Sequence, residues 1–433
     1  MLFPEIIWGQ ETTTSRKAWK RDLKIYDLPG WNSYTYNFPY AGGIRKRGDN
    51  EIVVQFETAD SSGINDDFYV EHHRRVTLSS KDYGTTWKEI QPDWQYSMPL
   101  RLSDGTLVEV VHATTLRTPE QQKSRLERLG IGHIWRDDCH MPWDIWPSHM
   151  AEELRERGML IWDIRVGSAS PFDIYLPEAT IATHAPSDLF SRVSTDNGKS
   201  WKVTKVLDGA PYQHMACMFT GATVLPDDTI LIPGYAEKKH QKERASEVFA
   251  LRSTDGGKTF QKVVIGGTHL NECTLVQCAE KHVIAVIRSS GLIIHRSAST
   301  DGGLSWSPPR ETGMSGAPLH AIALQSGDLL CVYAHRLEPA QVRATLSRDQ
   351  GMTWDIANTK ILCQGLPAQY TALGGAGQFI GGPGAIQLDD GTIFVYYSIP
   401  DVQDIRPGTI PQGHSFIAGN VFSPEFLSQP TTN

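Results

Sequence analysis

A closed ring of six four-stranded blades, an all-β six-bladed β-propeller, is the architecture that three features of this sequence predict. The first is a turn written five times in the frame S-x-D-x-G-x-[ST]-[WF]. Its copies start at Ser80 (SKDYGTTW), Ser194 (STDNGKSW), Ser253 (STDGGKTF), Ser299 (STDGGLSW) and Ser347 (SRDQGMTW). The second is spacing: from Ser194 onward the copies recur at roughly 50 residues, the length of one propeller blade. The third is a set of six apolar hairpins between the frames.

Each frame has a local mechanism. The Asp carboxylate can accept backbone N–H groups and tie off a turn. The Gly supplies a backbone position with positive φ. The Trp or Phe re-enters the next strand and packs beneath the turn. One such turn is common in hairpins; five in one chain mark a repeat.

The hairpins read, in order, as 38–57 (turn near Gly48), 96–112 (SDGT), 213–235 (PDDT), 271–288 (AEKH), 318–335 (QSGD) and 382–398 (DDGT). Each is two β-branched-rich runs around a polar turn. The first five are each followed by a frame, so a hairpin plus a frame hairpin supplies strands A to D of one blade. The sixth has no frame. "HSFIAGNVF" (414–422) is expected to be its third strand, and the N-terminal "EIIW" (5–8) its fourth, closing the ring. Closure removes exposed sheet edges.

Residues 1–433 are thus expected to form one propeller domain, with 113–189 an insertion between strands B and C of blade 2. Two segments there, "TPEQQKSRLERLG" and "SHMAEELRERG", have a Thr or Ser start and a Gly stop and predict helices. The alternative is a seventh, degenerate blade around "LIWDIRVG" and "ATIATH".

The net charge of −8 and the lack of a Lys/Arg block argue against nucleic acid as a partner. No apolar run is long enough to cross a membrane. Cys139, Cys217, Cys273, Cys278, Cys331 and Cys363 are scattered, mostly in strand-like runs, and read as free thiols of a reducing compartment. The N-terminus lacks the basic and apolar regions of a secretory signal, so a cytoplasmic protein is expected, or one exported by a signal outside this sequence. "HIWRDDCHMPW" (His133, Asp137, Asp138, Cys139, His140) matches no ligand spacing, and neither a metal nor a cofactor is expected. Oligomeric state is not legible.

Strand direction separates two faces of the ring. A and B are antiparallel, so the start of A and the end of B share a face, and the Asp turns between C and D lie on the other. The five frame Asp residues therefore read as structural. The face to search carries the B ends Glu57, His112, Tyr235, Arg288, Ala334–Arg336 and Ser398. It also carries the A starts Tyr40, Tyr96, His214, Glu272, His320 and Gly382. So many titratable groups around one mouth favour a binding or catalytic site over plain strand ends. Glu272 and Arg288 stand at the start of A and the end of B of one blade, so they are expected to pair, either as a charged site or as a brace between strands.

With its Asp turns the chain resembles the sialidase (neuraminidase) superfamily, whose members are six-bladed propellers marked by such repeats. The resemblance covers nearly everything outside 113–189. It implies a glycan-active enzyme, with a carboxylated sugar held by arginines. The family's N-E-x-T segment followed by a strand ending in Arg matches "LNECTLVQCAEKHVIAVIR". By that match Glu272 is the Glu that activates the nucleophile and Arg288 a carboxylate-binding Arg. Arg343 in "VRATLSRDQG" is the nearest match to a second such Arg, with Arg336 as a substitute. The acid/base Asp belongs in "TADSSGINDDFYVEHH", where Asp66 fits best and Asp60 and Asp67 are neighbours. Two positions depart. Asn37 precedes Phe38-Pro39 where the family has its first Arg, and Gly382 stands at the nucleophilic Tyr. Both point away from retaining chemistry through a tyrosine.

Three functions follow. The first is an exo-acting hydrolase of an acidic sugar, sialic or uronic, with Glu272 opposite Asp66 or Glu57 and the separation deciding stereochemistry. In it Arg288, Arg343 and Arg336 bind the carboxylate, and Trp135, Trp143 and Trp146 stack on sugar or glue the insertion down. The second is a uronate lyase built from Arg288 with His112, His214, Tyr235 or His335. The third is a non-catalytic sugar-binding propeller.

Overall fold

The computed structural model describes residues 19–27, 43–48, 50–60, 72–91, 98–112, 117–134, 144–156, 160–162, 180–184, 188–209, 212, 214–217, 221–240, 243–337, 339–364, 381–404 and 412–429. Six antiparallel sheets succeed one another along the chain and form the blades. With strands given from A to D, blade 1 is Gly43–Arg47, Glu51–Asp60, His72–Ser80 and Lys88–Glu89. Blade 2 is Leu100–Arg101, Leu107–His112, Leu189–Ser194 and Lys202–Leu207. Blade 3 has an inner strand in two pieces, His214–Cys217 and Thr223–Val224, then Ile230–His240, Glu243–Ser253 and Gln261–Gly267. Blade 4 is Leu270–Gln277, Val283–Ser289, Ile293–Ser299 and Arg310–Ser315. Blade 5 is Leu319–Ala323, Leu329–His335, Gln341–Ser347 and Lys360–Cys363. Blade 6 is Gly381–Gln387, Ile393–Asp404, Gln412–Phe422 and, as its outer strand, the N-terminal Trp19–Asp27.

The N-terminal strand closes the ring antiparallel to Gln412–Phe422, pairing Trp19 with Phe422 and Lys24 with Ala418. This corrects the expectation for Glu5–Trp8, which lie outside the described residues. "LKIYD" places Ile25 in the core beside Ile52, Phe394 and Ile417.

Strand alternation explains why the blades stack. Phe394 and Tyr396 of blade 6 pack with Ile52, Val54 and Phe56 of blade 1. Ile393, Val395 and Tyr397, on the other side of the same strand, pack with Leu330 and Val332 of blade 5. Both faces of an inner strand are thus buried, and a one-residue slip would exchange them. Apolar clusters of this kind also join blades 2 and 3, 3 and 4, and 4 and 5. Each fully buried Leu, Ile or Phe in them contributes about 1.5–3 kcal/mol. Blade 2 turns another chemistry away from Val108 and Val110: Glu109, wholly buried, pairs with Arg192, whose guanidinium lies 4.6 Å from the Trp201 ring centroid.

The five Asp turns share one hydrogen-bond pattern. In the fourth, the Gly303 N–H donates to Ser299 Oγ at 2.8 Å and the Ser305 N–H to Asp301 Oδ1 at 3.0 Å. Ser299 Oγ donates to Asp301 Oδ1 at 2.8 Å. The glycines lie at φ of +77° to +86°. They also press on the preceding blade. A Cβ on Gly257 would meet Val108 of blade 2 at 2.5 Å, and one on Gly303 would meet Leu231 of blade 3 at 2.6 Å. The turn is therefore a wedge between blades as well as a hairpin.

Between strands B and C of blade 2 lie helix α1 (Pro119–Arg128) and helix α2 (Ala151–Glu156). Helix α1 starts at a capping box: the Gln121 N–H donates to Thr118 Oγ1, and the Thr118 N–H to Gln121 Oε1. It stops at Gly130, at φ +74°. The sequence did not disclose a small sheet there, Asp144–Pro147, Thr180–His184 and Leu160–Trp162, with Thr180–His184 in the middle. Leu160–Trp162 and Thr180–His184, the segments weighed as a seventh blade, pair in that sheet.

Candidate active site between blades 4 and 5

The A starts and B ends of blades 4 and 5 converge on the face opposite the Asp turns. In blade 4 the A–B ladder slips between Leu270 and Cys273, so Asn271 and Glu272 bulge opposite the end of strand B. The chain enters that bulge through Thr268 and His269, at φ +35° and +71°, and the Ser290 N–H donates to the His269 carbonyl at 2.8 Å. Left-handed backbone at two non-glycine residues costs energy that the surrounding structure must hold. Asn271 Oδ1 accepts the Glu272 N–H at 2.9 Å. The Glu272 carboxylate thereby faces Arg288, whose Nη1 donates to Glu272 Oε2. The pair is neither lost in the sheet nor free in water: the side chains are 16% and 23% exposed. Such a pair is charge-assisted and directional.

Alternation fixes the direction in which Arg288 looks. Ile284 and Val286, four and two residues before it, pack against Cys331 and Tyr333 of blade 5. From blade 5, His335 lies two residues beyond Tyr333 on the same side, and opposes Gln341 across the ladder. Arg343 follows on that side, opposite Tyr333. His335 Nδ1 lies 2.8 Å from the Ser315 carbonyl of blade 4, so its N–H bridges the seam. Arg343 Nε donates to Gln341 Oε1 at 2.7 Å. Burial pushes the His335 pKa below the ordinary histidine value; the Ser315 bond opposes this and the Arg343 charge adds to it. The seam thus presents two guanidiniums, one carboxylate and a neutral imidazole.

The other sequence candidates distribute as follows. Tyr235, in the middle of strand B of blade 3, packs against the cluster between blades 3 and 4. Glu237, two residues on and only 5% exposed, shares its side of the strand. Counting seven residues from the turn missed Glu237, because this strand runs on to His240. Gln341 was also missed, although its place opposite His335 follows from the hairpin register. His320 serves the architecture: buried on strand A of blade 5, its Nδ1 accepts the Ala385 N–H of blade 6 at 3.1 Å. Ser398 is buried at 2% exposure, and Gly382 is buried on strand A of blade 6. Arg336 follows strand B of blade 5 and is partly buried. In the insertion, Arg125 lies 4.3 Å over the Trp146 ring, which ties that Trp to helix α1.

Asp66, Asp67, Trp135, Trp143, Asn37, Tyr40 and Tyr96 lie outside the described residues. Glu57, Asp60, His112 and His214 belong to strands whose backbone is described, but their side chains lie outside that description. Among the described residues no group of three or more His, Cys, Asp or Glu is placed to hold a metal ion. Burial raises the Cys217 thiol to about 12, so it is a poor nucleophile. No described helix is long and apolar enough to cross a membrane.

Comparison with known proteins agrees with this fold. The model of the BNR repeat-like domain family matches residues 175–403, more than half of the 433-residue chain. No curated protein matches the chain. Among solved structures, a Dyadobacter fermentans protein of unknown function aligns at a TM-score of 0.58 and 19% identity, over 94% of this chain and 100% of that one. The NanB sialidase of Streptococcus pneumoniae aligns at 0.54 and 12%, over 94% and 71%. The leech intramolecular trans-sialidase aligns at 0.51 and 13%, over the same shares. At these identities the likeness is one of fold. The chain belongs to the BNR repeat-like domain family and carries a six-bladed propeller similar in fold to those of sialidases.

Proposed function

We propose that this protein is an exo-acting glycoside hydrolase that takes a carboxylated sugar, of the sialic or uronic acid type, at the mouth between blades 4 and 5. The observation that carries the reading is the Glu272–Arg288 pair, held in a bulge at the rim and still partly open to solvent. Arg343 faces the same seam from blade 5. Two guanidiniums at one opening suit a sugar carboxylate, which accepts forked hydrogen bonds. Glu272 keeps Arg288 oriented and sets a negative charge where positive charge develops at the anomeric carbon in glycoside cleavage. The similar leech trans-sialidase was crystallised with 2,7-anhydro-Neu5Ac, which supports an acidic monosaccharide as the ligand class.

The test is turnover of aryl sialosides and aryl uronides. Wild type is expected to release the aryl group from one class, and Glu272→Gln and Arg288→Ala to abolish release while melting near the wild-type temperature. An ultraviolet-absorbing unsaturated product from an oligosaccharide with a uronate linked through its O4 would replace hydrolysis by β-elimination. Binding without turnover across both classes would make the propeller a lectin-like module.

A further inference from the structure

The site holds one proton-transfer group that the sialidase resemblance does not assign. We propose that His335 is the general base of this enzyme, its Nε2 taking a proton from the water that attacks the anomeric carbon, so that hydrolysis inverts configuration. The proposal rests on the hydrolase reading above and adds to it the identity of the base and the stereochemical outcome.

Three features of the geometry carry it. His335 Nδ1 is committed to a backbone carbonyl, Ser315 O at 2.8 Å, and a carbonyl can only accept. The proton is therefore on Nδ1 and the Nε2 lone pair is available, the tautomer a water-activating histidine needs. Next, Nε2 is not committed to a described partner: the ring's one described hydrogen bond is that of Nδ1, and His335 is 7% exposed. Finally, His335 lies on the seam side that carries Arg343 and faces Arg288. A sugar whose carboxylate is held by both guanidiniums has its anomeric carbon, one bond away in a sialoside, beside the imidazole.

The charged groups facing His335 are Arg343 on its own blade, and Arg288 with Glu272 on blade 4; Gln341 is the neutral group directly opposite. Burial, with the Arg343 charge adding to it, keeps the imidazole neutral against the opposing Ser315 bond. The step balances without a cofactor. A water O–H bond breaks, its proton goes to Nε2, and the oxygen bonds the anomeric carbon. The glycosidic C–O bond breaks with its electron pair, and the leaving oxygen takes a proton from solvent. The imidazolium then returns its proton to bulk water. Gly382, where the superfamily has its tyrosine, leaves no nucleophile on strand A of blade 6 for the retaining route.

Two measurements test this, one independent of turnover. Nitrogen-15 NMR of the free protein is expected to show the His335 ring protonated on Nδ1 at pH 7, titrating below 6.5. An Nε2-protonated ring, or titration above 6.5, overturns the proposal whatever the substrate. In turnover, His335→Ala is expected to lower kcat by about 100-fold or more with KM within about threefold, and azide to restore rate by forming a glycosyl azide of inverted configuration. The first-formed wild-type product, followed by proton NMR, should be the inverted anomer. Retention, or a His335→Ala variant with near-normal kcat, overturns the role of His335 and leaves the hydrolase reading standing. No turnover of any acidic glycoside by wild type sinks both.

Discussion

The two faces of the ring obey different rules. On one, the same turn is written five times, and in each copy Ser, Asp, Gly and Ser or Thr make the same bonds, with the glycine of several copies pressed on the preceding blade. On the other, the described blade ends differ: a Glu–Arg pair closes blade 4, a His and a Gln close blade 5, and half-buried Tyr235 and buried Glu237 lie on strand B of blade 3. Repetition marks what the fold requires of every blade, and variation marks what one blade does that its neighbours do not. Stability is therefore expected to follow substitutions on the first face and activity those on the second.

The largest expected effect is on the variable face. Glu272→Gln and Arg288→Ala should each cost about 100-fold or more in kcat/KM, with melting temperatures within about 2 °C of wild type. A large thermal loss would make the pair a brace and erase the contrast between the faces. The converse variant is Gly257→Ala. It places a Cβ at φ +79° and 2.5 Å from Val108, so about 2–3 kcal/mol of stability should be lost. Its kcat should stay within about twofold of wild type, measured well below the new melting temperature.

A milder substitution sharpens the variable face. Arg343→Ala should raise KM for an acidic glycoside about tenfold and leave KM for a neutral one unchanged. Equal loss for both would remove the carboxylate from the role given to Arg343.

The smallest effect is acid sensitivity of the repeated face. Hydrogen bonds from Ser200 and Ser194 hold Asp196 down at about 2. Burial acts to raise Asp301, but bonds from Ser305 and Ser299 outweigh it and bring it also to about 2. A carboxyl whose folded pKa lies below its unfolded value stabilises above the unfolded pKa and loses that contribution as pH falls through the folded one. Melting temperature should therefore fall between about pH 4 and pH 2, and Asp301→Asn should flatten that limb. An unchanged acid limb in the variant would place the sensitivity elsewhere.

How much could be read from sequence follows from the same contrast. The frames at Ser80, Ser194, Ser253, Ser299 and Ser347 carry their bonds within eight residues, so local pattern was enough to place the turns, the blades and the two faces. Glu272 and Arg288 were legible together because they share one hairpin. The bond from His335 to Ser315 was not, since it crosses from one blade to the next and joins a side chain to a carbonyl that no residue type announces. Glu237 escaped because strand length, unlike strand order, is not written in a turn. The closing strand was placed on Glu5–Trp8 rather than Trp19–Asp27 because a clasp pairs ends of the chain, where no spacing sets the register. Long-range contacts are the part that apolar periodicity leaves open.

The most direct measurement is a crystal structure of the protein soaked with the acidic monosaccharide that its glycoside assays select. The sugar carboxylate is expected within hydrogen-bond distance of both Arg288 and Arg343, with the ring lying over His335. A sugar seated instead among the Asp turns near Asp301, or one whose carboxylate touches neither arginine, would contradict the division of labour between the two faces.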